Sequence, residues 1–279
     1  MADEGHDVQR DRALGALTGL RVGEVLGAVT DGLPAATAST ALDSAFPDFS
    51  VATPAFAEAL SALGVQERGE CAGLVAAGCD APQWVSVAVA TGLQVRADPI
   101  AQLVEALGER LPAPHRNRLT FAAGAAVAGA VSAALDETSW SQCLSLAISA
   151  ADLAEAAAAS VEAYRAGASV GARLAWAHAL GTRAEDALEI IELLVGVSEM
   201  PQEAVPAAFA VIGARAGAGS GPREPMSTVR SAATLGGRAG LIAPVAGALA
   251  GALAGVAAFP AHLRDDIELT RVLAGREAG

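Results

Sequence analysis

From Ala239 to Ala261 the chain carries no charge, and within that stretch Gly247, Gly251 and Gly255 recur at every fourth residue. Residues four apart stack on one face of an α-helix, so this helix offers a flank of bare backbone. Such a run is long enough for a bilayer, which needs about 20 apolar residues, and small residues at this spacing also pack membrane helices. Alanine and glycine, however, supply little insertion energy, and the stretch includes Pro244. The expectation is therefore a buried core helix and no membrane span.

The rest of the chain has the same character. Hydrophobic residues make up 53 % and aromatic residues only 4 %, so the core must be built from Ala, Leu and Val, with 30 glycines permitting close backbone approach. The strand formers Ile, Tyr, Phe and Trp are scarce, no alternating pattern persists, and small side chains suit helix on helix. The chain reads as all-α, a single compact multi-helix domain over residues 11–279 behind a loose polar tail, 1–10. Helical spacing first appears at Leu14, Leu17, Leu20 and Val25, predicting a helix from Asp11 to Ala28. A loop is expected from Asp31 to Asp48. Thr53-Pro54 reads as a helix start running to Leu63. Further helices are expected over 66–78, 81–93, 98–110, 119–135, 139–151, 153–179, 183–196 and 202–215. After a Gly-rich loop at 216–222 come one ending at Thr234 and one over 241–258.

Charge excludes several functions. A net charge of −13 repels phosphate backbones and anionic lipid surfaces, so neither nucleic acid nor membrane is expected as a partner. All 18 basic residues are arginine, which removes any lysine Schiff base or lysine nucleophile. Cys71, Cys79 and Cys143 are odd in number and scattered, not a disulfide framework. With no apolar segment near Met1, the expected location is the cytoplasm. None of His6, His115, His178 and His262 has zinc-binding spacing, and no nucleophile elbow or phosphate-binding glycine loop stands between a strand and a helix.

Two segments carry a resemblance. Asp11-Arg-Ala-Leu-Gly-Ala-Leu-Thr-Gly-Leu-Arg-Val-Gly-Glu-Val-Leu-Gly-Ala28 resembles the opening helix of the ADP-ribosylglycohydrolase family, D-R-x-x-G-x-L-x-G-x-x-x-G-D-x-L-G-A. Thr234 to Gly255 resembles that family's G-G-D-T-D-T-x-A-x-x-A-G-A-L-x-G-A-x-x-G. Together they imply coverage from about residue 9 to 265 and an all-α fold of that type. The resemblance also implies a cleft in which two magnesium ions orient an ADP-ribosyl ribose and activate water, held by carboxylates from a T-D-D-T and a D-T-D-T motif.

This sequence departs from the family at both motifs. Where T-D-D-T belongs stand Ser50, Val51, Ala52 and Thr53; where D-T-D-T belongs stand Arg238, Ala239, Gly240 and Leu241. The central family motif keeps only Gly124, and the acidic residue of the first helix is Glu24. No metal site and no cofactor are therefore expected. The reading is a catalytically silent member that binds a small anionic or apolar ligand, or a protein partner, through Arg238, Asp31, Ser50 and Thr53. Two alternatives stand beside it. One is a metal-independent enzyme with Asp31 or Glu24 as acid or base. The other is an assembly protein, for instance a homo-oligomer, using the scaffold alone. Arg238 has two readings, an anion contact or an internal salt bridge to Asp31.

Overall fold

The computed structural model describes residues 2–45, 47–49, 53–63, 82–158, 167–183, 186–216 and 224–264, with backbone only for 2–6. Among them are thirteen α-helices and no strand: α1 (Ala2–Thr30), α2 (Ala35–Ser44), α3 (Pro54–Ala62), α4 (Gln83–Gln94), α5 (Ile100–Arg110), α6 (Arg118–Leu135), α7 (Trp140–Ala158), α8 (Val170–Gly181), α9 (Ala187–Ile190), α10 (Pro201–Ala216), α11 (Pro225–Thr234), α12 (Ala239–Ala254) and α13 (Ala261–Arg264). The expected helix over 66–78, the Gly-rich loop from 217 and the cysteines Cys71 and Cys79 lie outside the described residues.

The centre of the molecule is an antiparallel pair, α1 against α12. Gly15 faces Gly251, Gly19 faces Gly247, Gly23 faces Ala243 and Gly27 faces Ala239, each so close that an added Cβ would fall within 2.5 Å of the opposing carbonyl oxygen. Backbone thus packs on backbone for four turns. The other helices wrap this pair, with α6 and α7 forming a second tight couple and α10 and α11 covering α12. Fourteen of the sixteen residues of α12, Ala239 to Ala252, are buried, which is the core helix the uncharged run implied. At sixteen residues it ends at Gly255, whose φ of 81° no side chain favours, short of the ~20 a span needs. Two longer helical stretches, Asp7–Thr30 and Arg118–Leu135, are apolar enough to cross a bilayer, but 78 % and 83 % of their apolar windows are buried inside the fold.

The structure corrects the expected boundaries in three places. Residues 2–10, expected as a loose tail, are the first turns of α1; the Gln9 amide donates to Asp136 at 3.2 Å and Arg12 to the Ala134 carbonyl at 2.5 Å. These bonds tie a polar segment to the C-terminal end of α6. The stretch expected to be loop from Asp31 to Asp48 contains α2, whose Ala38 and Leu42 are buried. The helices expected over 139–151 and 153–179 divide elsewhere: α7 runs unbroken through Asp152 to Ala158, and the non-helical residues 167–169 precede a separate α8 from Val170.

Candidate functional site

Glu24, Asp31, Thr53 and Arg238 fall into two separate clusters. In the first, Glu24 on α1 is only 1 % exposed and accepts hydrogen bonds from the N-terminus of α3: from Ala55 N at 2.9 Å, from Phe56 N at 3.1 Å and from the Thr53 hydroxyl. Thr53 occupies the N-cap position but its side chain makes no cap bond; the distant carboxylate takes that role, satisfying amides that a helix leaves without partners. Burial pushes the Glu24 carboxyl up to about 7, outweighing these bonds, with a small further push from Glu58. A carboxyl sealed this way holds α3 on α1 and does not reach a ligand.

The second cluster sits where the loop after α1 meets the turn before α12. Gly236 and Gly237 adopt φ of 64° and 54°. Their turn pairs with the loop through Gly32 N to Gly237 O at 2.6 Å and Gly237 N to Leu33 O at 2.8 Å. This docking brings Asp31 to the start of α12. One carboxylate oxygen accepts from Arg238 at 2.5 Å and the other from the Gly240 amide at 2.8 Å. Arg238 and Asp31 side chains are 28 % and 21 % exposed, so the pair is partly shielded from water. The salt bridge to Asp31, one of the two readings for Arg238, is formed. Ser50, with Val51 and Ala52, lies outside the described residues.

Arg238 also lines an open cleft of about 280 Å³. Trp84, Leu119 and Leu241 give it apolar walls, and His115, Asn117 and Glu199 add polar groups. Asn117 is committed locally: its side chain accepts from Thr120 N at 3.2 Å and caps α6. Glu58 on α3, within electrostatic reach of His115, is raised by burial, while the Ser86 hydroxyl and the His115 charge draw it back. His115, Glu199 and Glu58 were not among the residues expected at the site. Nothing local in the sequence marks them, because they come from three distant segments that only helix packing assembles.

Among the described residues no three His, Cys, Asp or Glu side chains stand together in a way that could hold a metal ion. Comparison with curated proteins gives no match. The ADP-ribosylglycohydrolase family profile matches residues 37–277. The matched region takes in α12 and its preceding turn but begins after α1, so the family evidence rests on the later helices and not on the opening motif. With most of its length matched and an all-α architecture of the same kind, the chain belongs to the ADP-ribosylglycohydrolase family.

Proposed function

We propose that this protein is a catalytically silent member of its family, one that no longer performs magnesium-dependent ADP-ribosyl hydrolysis and instead binds a small molecule in the cleft beside Arg238. The observation that supports it most is the pairing of Arg238 with Asp31. Magnesium requires oxygen donors, chiefly carboxylates, in near-octahedral array. Asp31, the carboxylate beside the start of α12, already accepts from a guanidinium and an amide, and the guanidinium's charge repels a dication at that range. Glu24 is spent on α3. Val51 and Ala52 have no donor oxygen in their side chains. These residues do not fit a dimagnesium site, and without one neither water activation nor ribose orientation has a provider.

The test is direct. Full-length protein titrated calorimetrically with magnesium or manganese is expected to give no site-specific heat. ADP-ribosylated arginine, ADP-ribosylated serine and poly(ADP-ribose) are expected to stay intact above background over hours. Magnesium-dependent turnover that Asp31→Ala abolishes sinks this reading. The assembly alternative has one observation behind it: Trp176, Leu193 and Leu194 are 40 %, 66 % and 52 % exposed. If that surface makes a homo-oligomer, sedimentation shows a species larger than one chain that Leu193→Ser with Leu194→Ser dissociates.

A further inference from the structure

We propose that the cleft takes a small monocarboxylic acid with a compact apolar body, gripped at its carboxylate by Arg238. This rests on the reading of the cleft as a ligand site and names the class of ligand.

The first ground is that the site already binds a carboxylate. Arg238 and the Gly240 amide hold the two oxygens of Asp31, so the chemistry needed for the ligand head is built. The Arg238 side chain remains partly exposed on the cleft side, where a second carboxylate can share the guanidinium; charge-assisted bonds of this type are the strong ones.

The second ground is the direction of the helices around the cleft. Its wall includes the N-cap or first-turn residues of four helices: Trp84 of α4, Thr120 of α6, Pro201 of α10 and Leu241 of α12. Each helix has at least twelve residues. Helix N-termini carry positive partial charge, so the four of them, with Arg238, offset the negative charge that Asp31 and Glu199 bring to the cleft.

Size and rim narrow the class. A cleft of about 280 Å³ falls below the ~300–1,000 Å³ usual for drug-sized ligands, and Trp84, Leu119 and Leu241 favour an apolar body. Glu199, exposed at the rim, disfavours a second negative charge, which selects a carboxylate over a phosphate ester. Asp31 is then an internal competitor for Arg238.

Benzoate is the probe, titrated into full-length protein by calorimetry at neutral pH and low salt. Saturable binding is expected, with phenyl phosphate weaker and methyl benzoate and inorganic phosphate not bound. Asp31→Asn, which removes the competitor, is expected to tighten benzoate several-fold. Arg238→Gln is expected to weaken it tenfold or more, and His115→Ala, on a half-buried surface turn, to weaken it by less. The proposal is overturned if neither the parent nor Asp31→Asn binds benzoate, if methyl benzoate binds as well, or if Arg238→Gln leaves the affinity unchanged. These outcomes are separate from the hydrolysis assay: a chain that ignores benzoate can still be silent, and one that hydrolyses ADP-ribosyl substrates can still bind it.

Discussion

Gly19→Ala should lower the stability of this protein by several kcal/mol, although alanine is the better helix former. In an exposed helix interior the exchange gains about 1 kcal/mol. At Gly19 the new Cβ would lie 2.0 Å from the Gly247 carbonyl oxygen and 2.5 Å from its carbon. Both are backbone atoms in the middle of α12, so no side chain can swing away. The two central helices must separate, which strips contacts from the rest of the core. Overpacking typically costs about 1–3 kcal/mol, and a clash of backbone with backbone along the main helix pair belongs at or above the top of that range. A fall in melting temperature of roughly 6–12 °C follows for a chain of this size. Gly124→Ala is the matched control. A Cβ there meets only side-chain atoms, at 3.4 Å from Leu107 and 3.8 Å from Ala88 and Trp84, so the α6 variant should melt at or slightly above the parent. If Gly19→Ala melts within 2 °C of the parent, the close packing of α1 on α12 is wrong.

The second large effect is a loss of stability as pH rises from about 4.5 to 7, carried by Glu24. Its carboxyl titrates at about 7 in the folded protein against an ordinary value of 4.5, so the folded state holds its proton more tightly than the unfolded chain. That contribution is complete below the ordinary value, declines as pH rises between the two values, and is gone above the folded one. A difference of this size corresponds to something on the order of 3 kcal/mol. Denaturant melts at pH 4.5, 5.5, 6.5 and 7.5 should show the decline. Glu24→Gln, an amide that cannot ionise and whose single carbonyl oxygen can still accept from one of the two α3 amides, should flatten most of it. Glu24→Ala should be destabilised at every pH, because the Ala55 and Phe56 amides lose their acceptor and a buried unsatisfied donor costs about 1–3 kcal/mol. A parent whose stability between pH 4.5 and 7 matches the slope of Glu24→Gln would refute the assignment.

Much of the fold is legible in the residues. The uncharged glycine-spaced run became the buried core of α12, and the helix starts expected at Thr53-Pro54, Leu119 and Gln202 fall within a residue of the observed Pro54, Arg118 and Pro201. Those starts carry local signals: a proline in the first turn, or a capping Asn117 whose side chain accepts from Thr120 N. The misses share a cause. Residues 2–10 and α2 have weak apolar periodicity, and their helices are held by partners far along the chain, such as Asp136 for Gln9 and the α11 surface for α2, where Arg230 pairs with Asp43. At the candidate site, the replaced family positions at Arg238 and Gly240 were visible in sequence. His115, Glu199 and Glu58 were not, since one histidine or glutamate among many has no local mark.

What the sequence by itself determined is therefore the kind of packing. Few aromatics, abundant alanine and glycines four apart leave helix on helix as the only way to bury this much apolar surface, and the motif positions at 234–255 place the chain in its family. What only the tertiary structure decided is the state of the charged groups. Asp31 and Arg238 are 207 residues apart and could equally have faced a ligand separately. They meet because the Gly236-Gly237 turn docks on the loop after α1 through paired backbone hydrogen bonds. Glu24 likewise could have been an exposed acid, and became a sealed helix cap because α3 begins against it. Helical propensity and periodicity act within a few residues of one another. An ion pair depends on distance in space, and that is fixed only when the helices have packed.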